Sequence, residues 1–397
     1  MNFLLKPVSI GKWKIPFPVL LWFSLAAIAV LLEMSRGVES FNNYFLYRFV
    51  FIHVRNFQNL YVGTPLTEYD NHYGPFFSLI IAPFAFFPAY IGCFLWCIAN
   101  AWFLYYAVQK LPFTSKEKNI VLLIGAIEMM TSIHNVQFNP MLTGWMILSF
   151  ALVEEEKDLW ATLYIAAGFL VKLYGIAGLT FFLFSRHKVK FILSFIFWMI
   201  VLICLPMIIS SPAYIIQCYK DWYYCLVTKN TQNVVQSIGG GMQDISVMGL
   251  IRRIFKVANL SNATVIIPSV LLYALPVLRF KQYQYLPFRL LYLAVTLIGV
   301  VILSSSAESP TYVIAVMGVA VWYIAQPNPK QKWVIGLLAF VIVLTSLSVT
   351  DLFPFYIRAN FIVAYSLKAL PCFIVWLVGI YQLLTQRFSN NLPVAAQ

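Results

Sequence analysis

The sequence predicts an all-α integral membrane protein, a polytopic bundle of about twelve transmembrane helices with interfacial helices in its first outer loop. Three observations lead there. Hydrophobic residues make up 61% of the 397-residue chain and charged ones 10%, far from the ordinary soluble balance. Apolar runs of roughly 14 to 26 residues recur from one end to the other, the length a membrane crossing needs. Basic residues gather in the short connectors between those runs, as they do in cytoplasmic loops. The whole chain, 1–397, therefore reads as a single polytopic membrane domain.

The first run, 15–33, follows a tail carrying Lys6, Lys12 and Lys14. It resembles a signal peptide, yet no small-residue cleavage site follows. The expectation is a retained anchor with a cytoplasmic N-terminus. Later basic connectors carry Lys110, Lys116 and Lys118, then Arg186, Lys188 and Lys190, then Arg279 and Lys281, Lys330 and Lys332, and finally Arg387. Placed on the same side, they set crossings at 75–110, 119–134, 138–153, 159–171, 172–185, 190–211, 263–280, 286–304, 311–325, 334–350 and 360–386. Both termini are then cytoplasmic. Run 75–110 is long enough to be a broken span. Runs 159–171 and 172–185 would each be only about 20 Å long as helices, so they read as a re-entrant hairpin or a single crossing.

A net charge of +13 would suggest nucleic acid for a soluble protein. Here positive-inside connectors account for much of it, and no nucleic-acid partner is expected. The six cysteines have no metal-ligand spacing. Cys93 and Cys97 lie in an apolar helix, and Cys218 and Cys225 are too far apart to bridge if their segment is helical. No zinc, Walker, kinase, Ser-His-Asp or dinucleotide motif is present.

The remaining connectors fall outside: 34–74 and 212–262 as two long periplasmic loops, with 134–140, the turn near Lys172, 304–310 and 350–360. They hold Glu39, Glu68, Asp70, Asp221, Asp244, Glu308 and Asp351, half of the 14 acidic residues. Most of the others form VEEEKD (153–158), read as a solvated cytoplasmic loop. The varied polar chemistry thus collects on the outer face. In the first loop Tyr44, Arg48, Arg55 and Asn59 recur at helical spacing. They suit an amphipathic helix whose arginines meet lipid phosphates, or a surface helix that seals the bundle. In the second, Gly239-Gly240-Gly241 reads as a flexible connector, and Arg252, Arg253 and Lys256 as part of another interfacial helix.

Three polar features interrupt apolar runs. Lys172 lies in AAGFLVKLYGIAGL, where an unpaired lysine at mid-bilayer costs at least about 2.5 kcal/mol. It either holds an anionic lipid phosphate or pairs with a buried carboxylate, for which Glu128 is the candidate. Glu128 itself is a proton-handling group or a structural counter-ion. Asn135, Gln137 and Asn139 close the NVQFNP turn, where amides can bind sugar hydroxyls or cap helix ends. Among the outer carboxylates, Asp70 in EYDNHYGP precedes an apolar helix that starts at Pro75, and Glu308 sits just before Ser309-Pro310 at the mouth of another; Asp70 ranks first as a base, with Glu308 and Glu39 behind it. A solvated loop charge is the other reading of each.

The first outer loop, Tyr73-Gly74-Pro75 before the second run, NVQFNP, AGFLVKLYGI and a later AESP occur in this order on a polytopic frame. The arrangement, from about 42 to 356, resembles glycosyltransferase family 87 in the GT-C superfamily. That resemblance implies a GT-C-like bundle and transfer of a sugar, usually mannose, from a polyprenyl-phosphate carrier. The acceptor would be a lipid-linked or glycan hydroxyl at the periplasmic face of a bacterial inner membrane. Anomeric configuration would invert, with a loop carboxylate as base. Family members commonly carry D-F-x-x-Y early in the first loop. NYFLY (43–47) is the nearest match and puts Asn43 in place of that Asp. No His follows in SPTYVIA (309–315), where members often have one. Asp70, Glu308 and Glu39 are then the catalytic candidates. Asn43, Asn135, Gln137, Asn139, Lys172, Arg252 and Arg358 are the candidates for substrate binding. The outer carboxylates leave a divalent metal open, with no ligand set specified. A competing reading is a transporter or flippase for a lipid-linked saccharide working through Lys172 and Glu128. It calls for paired halves with matching broken helices, and no internal repeat is visible.

Overall fold

Residues 5, 7–62, 71–236 and 243–389 are described by the computed structural model. Glu68, Asp70 and the Gly239-Gly240-Gly241 run lie outside them. The chain opens with β1 (Pro7–Ile10) and β2 (Trp13–Pro16), then α1 (Phe17–Ser35), α2 (Asn42–Arg55), α3 (Phe77–Ala85) and α4 (Ala89–Lys110). Next come α5 (Ser115–His134), α6 (Asn139–Glu154), α7 (Asp158–Val171), a 3-10 helix (Leu173–Leu183), α8 (Lys188–Cys204) and α9 (Pro212–Gln236). The rest is α10 (Val247–Phe255), α11 (Asn262–Ala274), α12 (Leu286–Ile302), α13 (Tyr312–Ile324), α14 (Lys332–Phe340), α15 (Phe355–Ile357) and α16 (Ala369–Thr385).

The protein is all-α apart from the short antiparallel hairpin β1–β2, which pairs Pro7 with Pro16 and Ile10 with Trp13. Gly11 turns it at φ +59°, a conformation glycine adopts without strain. The sequence reading had taken this segment only as a basic tail. Phe17–Ser35, Ala89–Lys110 and Lys188–Ile209 are long and apolar enough to cross a membrane, and the other apolar helices are shorter.

The chain divides into two compact units. The first comprises Met1–Pro112 and Met129–Lys229. Here α4 packs on α1 and α6, α6 on α7, and α7 on both α8 and the 3-10 helix. Trp22 Nε1 donates to the Ala101 carbonyl at 3.0 Å, fastening α1 to α4. Tyr44, Tyr47, Val50 and Val54 line the buried face of α2 at helical spacing, while Arg55 is exposed. The helix is amphipathic, but of the four residues expected to mark its polar side, Tyr44 is buried and Asn59 lies beyond its end. Run 75–110 is indeed broken. Its second helix starts after Pro88, which has no N–H to continue the first.

Run 172–185 is not an α-helix. Lys172 is extended at φ −146°, ψ 124°, and the 3-10 helix after it packs back on α7. The close approach needs glycine on both sides. A Cβ at Gly175 would overlap the Gly168 backbone. Gly175→Ala should therefore destabilise the protein by about 1–3 kcal/mol, read as a lowered unfolding temperature in detergent. A second correction concerns VEEEKD, whose Asp158 is buried in the first turn of α7. The helix N-terminus favours a carboxylate there.

The second unit comprises Phe113–Glu128 and Asn230–Gln397. Its core is α12 packed on α13 and α16, with nearly every residue of α12 and α13 buried. Trp322 Nε1 donates to Gln382 Oε1 at 3.0 Å, and Gln382 Nε2 donates to Gln326 Oε1 at 2.7 Å, so these buried polar groups satisfy one another. Run 360–386 is also divided. A π-helix (Arg358–Val363) ends before Ser366, which has φ +53°, and α16 begins at Ala369.

Stretch 212–262 differs most from expectation. Instead of a loop it provides the 25-residue α9 and, beyond 242, the helix α10. Nor is α10 an exposed interfacial helix, because Arg252 and Arg253 are both buried. Asp244 and backbone carbonyls replace their water.

Candidate active site

Within the first unit, Tyr73-Gly74-Pro75 is drawn against the end of α7. Gly74 N donates to the Val171 carbonyl at 3.3 Å. A Cβ at Gly74 would overlap the Leu170 carbonyl oxygen, so only glycine fits. Asn71 braces the segment, its Oδ1 accepting from Tyr73 N at 2.9 Å. Trp222 Nε1 donates to the His72 carbonyl at 2.9 Å. This packing places the start of α3 next to the extended residue Lys172.

The amide turn completes the cluster. Val136, at φ +52°, and Gln137, whose N–H returns to the Ser132 carbonyl at 3.0 Å, end α5. Asn43 Nδ2 donates to the Asn135 carbonyl at 2.9 Å. Gln137 Oε1 lies 3.4 Å from both the Tyr47 and Tyr73 hydroxyls, which are 3.1 Å from each other. Lys172 Nζ donates to Asn139 Oδ1 at 2.8 Å and sits 5.1 Å from the Tyr174 ring centroid. Asn139 is 1% exposed, and its Nδ2 has no hydrogen-bond partner. Beneath lie Phe77, Trp96 and Phe138, with Phe77–Phe138 centroids 5.8 Å apart and Trp96–Phe138 6.0 Å. Aromatic packing of this kind holds the polar groups on a stiff base.

Five sequence-selected residues (Asn43, Asn135, Gln137, Asn139 and Lys172) thus belong to one connected cluster. Of the two readings of Lys172, pairing with Glu128 is the one the contacts disfavour. Lys172 Nζ meets the Asn139 amide oxygen, and Glu128 binds Lys368 in the second unit at 2.8 Å. Of the carboxylates, Asp70 lies outside the described residues and Glu39 is exposed.

Glu308, in the second unit, precedes Ser309. Its N–H faces Thr311 Oγ1 at 3.3 Å, and its Oε1 accepts from Gln243 Nε2 at 2.7 Å. Arg252 donates to Asp244 at 2.6 Å, to the Leu260 carbonyl at 2.8 Å and to Asn262 at 2.5 Å. Burial pushes the Asp244 carboxyl up from its usual range, while Ser246 and Arg252 pull it back. Arg358 pairs with exposed Asp351 at 2.8 Å. Among the described residues no group of three or more His, Cys, Asp or Glu side chains could hold a metal ion.

Residues 71–306 match the model of glycosyltransferase family 87, more than half of the chain. The chain belongs to glycosyltransferase family 87. No curated protein matches it. It is therefore a membrane glycosyltransferase, acting between a sugar donor and an acceptor. The family 87 match contains Tyr73, the amide turn and Lys172, and stops two residues short of Glu308.

Sequence reasoning overlooked three groups that the structure brings forward in this glycosyltransferase. Tyr47 and Tyr73 stood only within motifs, NYFLY and Tyr73-Gly74-Pro75, with no site role of their own. Glu33 and His134 lie far apart in sequence, yet His134 Nδ1 lies 2.8 Å from Glu33 Oε2. Lys368 was hidden inside run 360–386, although the argument applied to Lys172 applies equally to it.

Proposed function

We propose that this family 87 enzyme transfers a hexose, most naturally mannose, from a polyprenyl-phosphate carrier to a lipid-linked or glycan acceptor. The reaction is placed at the periplasmic face of a bacterial inner membrane, with inversion, in a chain of about twelve crossings whose termini are cytoplasmic. The observation that carries this reading is Lys172. It is a part-buried ammonium at the turn of two apolar helices, and its Nζ donates to Asn139 Oδ1 at 2.8 Å. A cation set inside an apolar run suits an anionic phosphate arriving from the lipid side.

The chemistry asks for little else. A lipid phosphate leaves readily once its developing charge is stabilised, so no nucleotide site is required. Lys172 supplies that stabilisation. Asn43, Asn135, Gln137 and the Tyr47–Tyr73 pair offer neutral donors and acceptors suited to sugar hydroxyls. The free Nδ2 of Asn139 is a further donor beside the ammonium. Asp70, ranked first as a base from the sequence, is kept as a catalytic candidate of the first loop. The Arg252 guanidinium is already engaged by Asp244, which favours Lys172 over it as the phosphate partner. Family membership favours bond formation over the transport of an intact lipid-linked saccharide.

The test is incubation of purified protein with labelled polyprenyl-phosphate-mannose and candidate acceptors, followed by product identification. A glycosidic product of inverted configuration is expected. Flipping of the carrier in proteoliposomes with no product would replace the reading by transport.

A further inference from the structure

We propose that His134, oriented by Glu33, takes the proton from the acceptor hydroxyl during transfer. This rests on the transferase reading above and assigns the base within it.

Glu33 lies near the C-terminal end of α1, with its side chain 10% exposed, against 39% for His134. An ionised carboxylate only accepts, so in the 2.8 Å contact Nδ1 is the donor, and in the neutral ring Nε2 is then the nitrogen that can take a proton. A buried carboxylate that orients a more open imidazole is the arrangement of a general base and its positioning partner. His134 is also the last residue of α5. The carbonyl end of a helix favours the imidazolium that forms when the ring takes a proton.

The placement matches the rest of the cluster. His134 precedes Asn135, whose carbonyl accepts from Asn43, and stands three residues before Gln137, which meets Tyr47 and Tyr73. Base and amides share one turn. The charged and titratable groups around the ring are few among the described residues. From α1 come Glu33 and Arg36, the latter 3.3 Å from the same Glu33 oxygen. From α4 comes Cys97, 4.0 Å from the Ile133 carbonyl. In α2 the contact to the adjoining residue is the neutral amide of Asn43.

In the step, the acceptor O–H bond breaks and its proton moves to Nε2. The oxygen pair forms the new bond to the anomeric carbon while the bond from that carbon to the phosphate oxygen breaks. Its electrons leave with the phosphate. Glu33 balances the imidazolium until water removes the proton.

The experiment compares purified wild type, His134→Gln and Glu33→Gln for transfer from polyprenyl-phosphate-mannose across a pH series. Wild type should lose activity as pH falls and the ring becomes protonated. His134→Gln should lower kcat by roughly 100- to 10,000-fold and abolish that acid limb. Glu33→Gln should change the acid limb as well as kcat, which loss of a mere structural tie would not do. Wild-type kcat with an unchanged limb in His134→Gln, or an unmoved limb in Glu33→Gln, overturns the assignment. So does loss of all turnover in Asp70→Asn beside an active His134→Gln. A wild type that makes no product with any acceptor overturns the transferase reading as well.

Discussion

Replacing Lys172 with methionine should lower kcat/KM for sugar transfer by about 100- to 1000-fold, the usual consequence of removing one charge-stabilising donor. The side chain is close in length, so the helical turn around it is kept. The ammonium now held at 2.8 Å from Asn139 Oδ1 disappears, and with it the positive charge that meets the departing phosphate. Most of the loss should fall on kcat, because charge accumulates on the phosphate oxygen only as the bond to the sugar breaks. Folding should not suffer in parallel. A cation inside an apolar segment is a burden to the folded state, so the unfolding temperature in detergent should stay level or rise. Arginine at the same position should recover part of the activity, since it keeps the charge but not the compact single-point donor. Near-wild-type turnover in the methionine variant would remove Lys172 from the site. A parallel fall in stability would make it a structural residue.

What could be foreseen follows from what hydropathy measures. Alternation between apolar runs and basic connectors locates helices well, so α1, α4, α5, α6, α12 and α13 lie close to where the sequence put them. Backbone form within a run is another matter. Residues 173–183 are as apolar as an α-helix, but as a 3-10 helix they extend about 22 Å instead of about 16 Å. Gly175, pressed on Gly168, is the local reason for the reversal, and nothing in composition separates that glycine from others. The amide cluster was legible because amides at the end of an apolar run are conspicuous. Its partners Tyr47 and Tyr73 were not, since they come from segments distant in sequence. The partner of Glu128 was hidden for the same reason. Lys172 was the nearer candidate, whereas the actual contact, to Lys368, spans 240 residues. Likewise Arg252 reads as an interfacial cation until Asp244 is seen 2.6 Å away.

That long-range contact gives the largest stability effect expected in this protein. Lys368 is 1% exposed and Glu128 fully buried. The ammonium donates to Glu128 Oε1 at 2.8 Å, to Oε2 at 3.0 Å and to Ser309 Oγ at 3.0 Å. All three of its protons have acceptors, and the Tyr312 ring centroid lies 5.1 Å away. Removing either charge strands the other in a dry interior. Glu128→Leu and Lys368→Met should therefore each destabilise the protein by about 3–5 kcal/mol. The double variant Glu128→Leu/Lys368→Met should recover most of that loss, because two well-packed apolar groups avoid the desolvation that the pair must overcome. Unfolding in detergent measures the four species, and the coupling from the cycle should be large and favourable. Transfer activity separates the two roles left open for Glu128. A counter-ion is dispensable once its partner is also removed, so the folded double variant should still transfer sugar. A proton-handling carboxylate would leave that variant stable and inactive. Singles within about 0.5 kcal/mol of wild type would mean that water reaches the pair and that neither residue anchors the fold.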